Sequence, residues 1–343
     1  MNPSDRKFSS GSLSTILKSR ETAITLVFFL IIAITAFKSP SFISFSGDGM
    51  RDLLLSPSLL VILAVGQAVV IISGNVDVSV GSIMGFSAYL TGRILTDHPS
   101  IPVIIVIVLG ILLGTFLGVI NGVLVALMKI PAIVITLGTL YIFRGLLVLW
   151  AGGTRILPGD LPAVFVDFGD AQFFRLPILT MLALAITLLA TWFMRSSRSG
   201  RTIYAIGSNA VAAKLYGLKV NREVIFSMAF SGTLAGFAGV LYLARYGGSD
   251  SQSGVGWELQ AIAAVVIGGV AILGGSGSVW GAAIGAVLLV TLNRALPVLG
   301  IQDFWQQFVI GLLIILAIFT DRLLFLRQSK RLLKMREVSH EQK

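Results

Sequence analysis

The chain has 343 residues, of which 55% are hydrophobic and only 12% charged, with a mean hydropathy of +0.92. Soluble domains carry about 25% charged residues, so this composition excludes an ordinary water-soluble globule. Cysteine is absent, which excludes disulfides, thiol redox chemistry and thiolate metal sites. The net charge of +10 gathers at the N-terminus, in one central loop and at the C-terminus, as the positive-inside rule expects and a nucleic-acid face would not.

Continuous apolar runs near the length needed to cross about 30 Å of hydrocarbon point to helical spans, since lipid leaves no other partner for the backbone. Residues 1–21, with Arg6, Lys7, Lys18 and Arg20, read as a cytoplasmic tail. The first span, Thr22 to Phe37, has no small-residue cleavage pattern after it and is expected to act as a signal anchor. A second span covers Ser58 to Ile72. It is followed by a polar break, Ser73 to Ser82, too short for an ordinary soluble loop, and then by a third span, Val80 to Leu95.

The fourth span, Val103 to Leu127, carries Gly110, Gly114, Gly118 and Gly122 at four-residue spacing, a stripe on which a neighbouring backbone can approach closely. Asn121 lies on the same side and is suited to an interhelical hydrogen bond. Lys129 and Pro131 mark a tight turn before the fifth span, Ile133 to Trp150, whose Arg144 reads as snorkelling or pairing with an acid. The loop from Ala151 to Arg175 has no positive excess and is placed outside. The sixth span is Pro177 to Phe193, the seventh Val224 to Ala244, the eighth Leu259 to Leu273, the ninth Val279 to Leu292 and the tenth Trp305 to Thr320. Beyond it comes a basic tail with Arg322, Arg327, Lys330, Arg331, Lys334 and Arg336.

The expected fold is therefore an all-α polytopic membrane protein of about ten transmembrane helices, broken or half-helices included. A permease-like domain fills residues 22–320, residues 321–343 form a cytoplasmic tail, and both termini lie inside. The basic loop at 195–223 then also lies inside. Within it Asn209 to Leu218 can form a short surface helix, capped by Asn209 and stopped by Gly217. Such a helix suits docking of an external motor; an ordinary basic loop retained by its charge is the plainer alternative.

Charged residues within the apolar blocks are few, so Asp77, between Gly74 and Gly81, stands out. Two readings stay open: a polar pathway lined by Asn75, Asp77, Ser79 and Asn121, or an Asp that only caps a helix start, helped by Ser79 and Ser82. His98 and His340 suggest no metal site. Phosphate-loop, zinc-protease and nucleophile-elbow motifs are missing from the sequence, so the chain is expected to bind no cofactor and to be no enzyme in its own right.

Five segments together carry a resemblance: Asn75-Val-Asp-Val-Ser-Val-Gly-Ser-Ile-Met-Gly85; Asn121-Gly-Val-Leu-Val; Lys129-Ile-Pro-Ala-Ile-Val-Ile-Thr-Leu-Gly-Thr139; Gly200-Arg-Thr-Ile-Tyr-Ala-Ile-Gly-Ser-Asn209; and Ala264-Val-Val-Ile-Gly-Gly-Val-Ala-Ile-Leu-Gly-Gly-Ser-Gly277. In this order, within a similarity that extends from about Val27 to Leu324, they resemble the permease subunits of bacterial ATP-binding-cassette (ABC) importers for ribose and related sugars, most closely the group importing autoinducer-2, rhamnose or similar small carbohydrates. The resemblance implies an inner-membrane permease paired with itself or a paralogue. It also implies two ATPase subunits inside, which carry the ATP and Mg, and a periplasmic sugar-binding protein outside. It assigns ATPase coupling to Gly200, Arg201, Tyr204, Ala205, Gly207, Asn209, Ala212, Ala213 and Gly217. An ion-coupled secondary transporter is the alternative, with Asp77 nearly its only candidate for coupling.

Overall fold

The computed structural model describes residues 20–44 and 48–302, with isolated positions between 305 and 319. The tail at residues 1–19 and the basic tail from 320 lie outside the described residues, as does most of the expected tenth span. The helices are α1 (Arg20–Lys38), α2 (Asp48–Leu55), α3 (Ser58–Ile72), α4 (Val80–Asp97), α5 (Val103–Met128), α6 (Ala132–Ala151), α7 (Ala163–Asp170), α8 (Ile178–Ser196), α9 (Arg198–Ser208), α10 (Ala210–Leu215), α11 (Val220–Tyr246), α12 (Trp257–Ile267) and α13 (Val279–Val298). A short antiparallel hairpin, Gln172–Phe173 with Leu176–Pro177, departs from the all-helical expectation.

Among the described residues, six stretches are long and apolar enough to cross a membrane: Asp48–Ile72, Val103–Met128, Ala132–Ala151, Ile178–Ser196, Val220–Tyr246 and Val279–Val298. The apolar part of α1, Ile24–Lys38, and all of α12 are shorter. The expected count of about ten full or broken spans thus resolves, among the described residues, into six full-length spans and shorter apolar helices set between them.

Every residue of α3 is buried, so this helix, apolar all round, is the centre of the bundle rather than a lipid-facing span. Helices α5, α6 and α8 instead turn Ile104, Leu112, Phe116, Leu149 and Leu189 outward, as helices in contact with hydrocarbon do. The glycine stripe of α5 lies on α11. A methyl carbon on Gly118 would sit 2.6 Å from the carbonyl oxygen of Met228, and one on Gly122 2.7 Å from the Ile225 Cα. Gly114 faces Gly232 and Gly236 across the same contact. Thr115 and Thr233 share a hydrogen bond of 2.9 Å between their hydroxyls. Small residues on both partners let the two backbones touch, which is how spans associate where no hydrophobic drive exists.

At the end of α11 that carries Arg245, ion pairs join several elements. Arg51 meets Asp170 at 3.0 Å and Asp48 at 3.5 Å; Arg245 pairs with Asp170 and, at 3.8 Å, with Asp52; Arg294 reaches Asp52 at 3.7 Å. These charges are partly exposed, so each pair contributes about 0–1 kcal/mol. Their role is to fix register among α2, α7, α11 and α13.

Candidate functional site

Two irregular stretches interrupt the bundle. The first, between α3 and α4, is the polar break expected from sequence. The second lies between α12 and α13. It begins at Gly268, whereas the eighth span was expected to stay helical to Leu273. Gly269 (φ +90°) turns the backbone out of the helix, and Val270 N–H bonds back to the Val265 carbonyl at 3.2 Å. The apolar residues 270–273 continue without helical structure, and Ala271 N–H is satisfied by the Ser276 carbonyl at 3.2 Å. α13 then starts with its N-cap Ser278 accepting from Gly281 N–H at 2.9 Å.

In the first break Asp77 is completely buried. Its Oδ1 accepts from the Ser79 N–H (2.9 Å) and the Ser79 hydroxyl (2.6 Å). Asp77 therefore sits two residues ahead of the cap position, closing a local turn on Ser79 rather than capping α4 itself. Asn121 reaches in from the glycine stripe of α5, donating Nδ2–H to the Ser79 Oγ at 2.7 Å. The Gln67 amide, oriented so that its nitrogen meets an acceptor, bridges the Asp77 carbonyl (3.1 Å) and N–H (3.3 Å). Thr136 of α6 accepts from Val78 N–H at 3.1 Å. Three helices thus clamp one non-helical segment. Asp77 Oδ2 and Asn121 Oδ1 are buried without a partner among the described residues. Asn75 stands apart from this network, donating its amide to the Ser73 hydroxyl at 3.0 Å.

The basic stretch at 195–223 is not a loop but three helical pieces: α9, α10 and the first turn of α11. Ser197 caps α9, its hydroxyl accepting from Gly200 N–H at 2.8 Å. A side chain on Gly200 would overlap the Met194 backbone. Arg201 and Ala205 are exposed, and Arg201 donates to the Ser196 carbonyl at 3.0 Å. Asn209 caps α10, accepting from Ala212 N–H at 2.9 Å. Ala213 packs inward, and Gly217 (φ +79°) ends the piece in a left-handed turn. Val211, Leu215 and Tyr216 are 73%, 85% and 86% exposed, an apolar edge left uncovered on a charged segment.

The decisive geometry lies behind that edge. Gly207, near the end of α9, touches the Ile72 carbonyl so closely that no side chain fits, and a Cβ there would lie 2.6 Å from Gly275 N. Gly275 N–H itself donates to the Ile72 carbonyl at 2.9 Å. Gly274 would meet the Gly74 Cα at 2.6 Å, and Tyr204 donates its hydroxyl to the Gly277 carbonyl at 2.9 Å. Burial holds the Tyr204 phenol above its ordinary pKa, with Arg195 pulling weakly the other way, so it stays a donor. One segment therefore seats on both breaks at once. Sequence reasoning found the first break and the cap at Asn209 but missed this junction; the only available signal was the pairing of glycines at 74, 207 and 274–275.

Arg144 forms no ion pair within 4 Å among the described residues. It donates to the carbonyls of Ser253 (2.6 Å) and Ser251 (3.3 Å), pinning the loop between α11 and α12 onto α6.

Residues 49–318 match the family model described as the permease component of the branched-chain amino acid transport system. A protein of Enterobacter sp. (strain 638) named autoinducer 2 import system permease protein LsrC is 35% identical over 309 residues, covering 90% of this chain and 88% of that one. Proteins of the same name from Escherichia coli O157:H7 and Salmonella typhi are 35% and 36% identical, over 90% and 91% of this chain and 89% and 88% of theirs. No solved structure matches the chain.

Proposed function

Because the chain belongs to the family of permease components of the branched-chain amino acid transport system type, a family of multi-pass inner-membrane transport subunits, we propose that it conducts a small carbohydrate inward as one half of an ABC importer's membrane pore. The solute is of the ribose, rhamnose or autoinducer-2 kind, handed over by a periplasmic binding protein. The second half of the pore is another copy or a paralogue. Both termini, and the segment from Arg195 to Glu223, face the cytoplasm, where α10 meets an ATPase subunit that holds the ATP and Mg.

The observation carrying this reading is the seat of Gly207 on both breaks, with the exposed edge of Val211, Leu215 and Tyr216 on the outer side of the same segment. A push on α10 reaches Ile72–Gly74 and Gly274–Gly275 through backbone contacts that have no slack. Packed contacts of this kind shift as units rather than deform. The relatives' names support an autoinducer-2-like solute, and the accessible Asn75 and Ser208 beside the breaks offer an amide and a hydroxyl, the partners of a neutral polyol, while Ser79, Asn121 and Thr136 are buried and hold the first break together. Affinity comes from the binding protein, so the pore needs only weak contacts.

The absence of cysteine gives a clean test. Leu215→Cys is expected to crosslink to the ATPase subunit in native membranes, while Leu112→Cys, on the lipid-facing side of α5, is not. Equal crosslinking from both, or none from Leu215→Cys alongside normal ATP-driven uptake, overturns the docking assignment.

Asp77→Asn separates an importer from an ion-coupled carrier. The amide keeps the Oδ1 acceptor for Ser79, so uptake is expected to persist within about two-fold and to remain insensitive to ionophores, as a neutral isostere preserves the hydrogen bonds. Asp77→Ala leaves the Ser79 N–H buried and unpaired, a cost of about 1–3 kcal/mol, read as a fall in the detergent melting temperature. Loss of uptake in Asp77→Asn together with ionophore sensitivity of the parent protein would support the carrier instead.

A further inference from the structure

A cavity of about 790 Å³ lies beside the first break, walled by Ser73–Val76 on one side, by Ile206–Ala210 on another and by the α5–α6 turn, Lys129–Ile133, on a third. Its volume falls within the range of small-molecule sites, about 300–1,000 Å³. Its polar groups are amides and hydroxyls with one cation, Lys129, and no acid. The Asn75 carbonyl oxygen has no partner among the described residues, since only the amide nitrogen bonds to Ser73. Ser208 and Asn221 are exposed and likewise make no side-chain bond among the described residues. A free acceptor with hydroxyl and amide groups around it suits a small uncharged polyol. A single exposed lysine makes a poor phosphate site.

What sets this cavity apart is the segment that walls it. Ile206–Ala210 belongs to the segment that Gly207 seats on both breaks, so an occupant touches the docking segment and the first break together. We propose that the cavity is an inhibitory product site: it takes up the imported polyol from the cytoplasmic side and, while filled, holds the docking segment in place and slows ATP hydrolysis. This rests on the importer reading above and adds feedback to it. Linkage makes the effect reciprocal: if the solute favours one position of the segment, the nucleotide state of the ATPase alters solute affinity by the same factor.

The test uses the permease–ATPase complex in proteoliposomes with the ATPase facing outward. D-ribose, L-rhamnose and inorganic phosphate are supplied either on the ATPase side or in the lumen. A sugar that the complete system transports is expected to slow hydrolysis about five-fold or more from the ATPase side, the lower range of allosteric coupling, and to do nothing from the lumen. Asn221→Leu and Ser208→Leu are each expected to raise the inhibitory concentration at least several-fold. Equal inhibition by phosphate marks an anion site and overturns the proposal, as does unchanged hydrolysis at tens of millimolar of a transported sugar. Failure of the importer reading itself looks different: no ATP-driven uptake of any sugar even with the binding protein present.

Discussion

Gly207→Val is expected to abolish ATP-driven uptake while leaving membrane insertion intact. A side chain at this position collides with the Ile72 carbonyl and with Gly275 N, both backbone atoms that cannot rotate aside. Either α9 lifts off the first break or the second break is pushed away, and in both cases the seat is lost. Overpacking costs about 1–3 kcal/mol even where side chains can yield, and here only main chain can move. The expected signature is a permease that still co-purifies with its ATPase through Val211, Leu215 and Tyr216 but no longer couples. ATP hydrolysis would continue without solute stimulation, and uptake would fall at least tenfold, equivalent to about 1.4 kcal/mol of lost coupling. Normal uptake by Gly207→Val would refute the role of the seat. Gly217→Ala is the contrasting case: open space surrounds that position, so only the strain of its left-handed backbone is felt, a cost of about 1 kcal/mol.

The second large effect is expected at the contact between α5 and α11. Gly114→Leu places a branched side chain where Gly232 and Gly236 already touch the α5 backbone. The helices must separate, and the Thr115–Thr233 hydrogen bond (2.9 Å) parts with them. Loss of folded protein, seen as aggregation on gel filtration in detergent, is the expected outcome. Gly138→Leu and Gly145→Leu, on α6 with nothing within 4 Å, are the controls and should retain the melting temperature of the parent. If Gly114→Leu matched those controls, the close approach of α5 and α11 would not be what holds the bundle. A milder companion is Asn121→Ala, which removes the 2.7 Å bond to Ser79; intramembrane bonds of this type contribute about 0.6 kcal/mol on average, so a shift of a few degrees or less is expected.

Where an element is bounded by its own residues, the sequence was sufficient. α3 runs from Ser58 to Ile72 as expected, because Pro57 precedes it and Ser73-Gly74 follows an unbroken apolar run. The cap at Asn209 was equally visible, since the side chain that starts α10 belongs to the residue at its start. The stripe of Gly110, Gly114, Gly118 and Gly122 announced a close neighbour, though not which one. What stayed hidden depends on partners far along the chain. α9 carries a helical-period face, with Gly200, Ile203 and Ile206 buried, but nothing within the segment names what that face meets; Tyr204 and Gly207 hold it against residues 72–74 and 275–277. The end of α12 was misplaced because Val270 to Leu273 are as apolar as a helix would be, and only Gly268-Gly269 betrays the stop. Arg144 was read as seeking an acid or the interface; its partners are main-chain carbonyls from a loop more than 100 residues later.

The pairing of α5 with α11 also bears on how the protein is made. Thr115 and Thr233 are 118 residues apart, and translation at about 5–20 residues per second leaves on the order of ten seconds between them. During that interval α6 and α8 are also made, and of the stripe only Gly110 has a partner already synthesised, Ser87 and Thr91 of α4. α11 meets that stripe with Gly232 and Gly236, a backbone approach that Leu or Ile at those two positions would not allow. The vacant stripe therefore acts as a reserved place in the order of assembly, and the bundle closes only when α11 emerges, bringing with it the docking segment made just before.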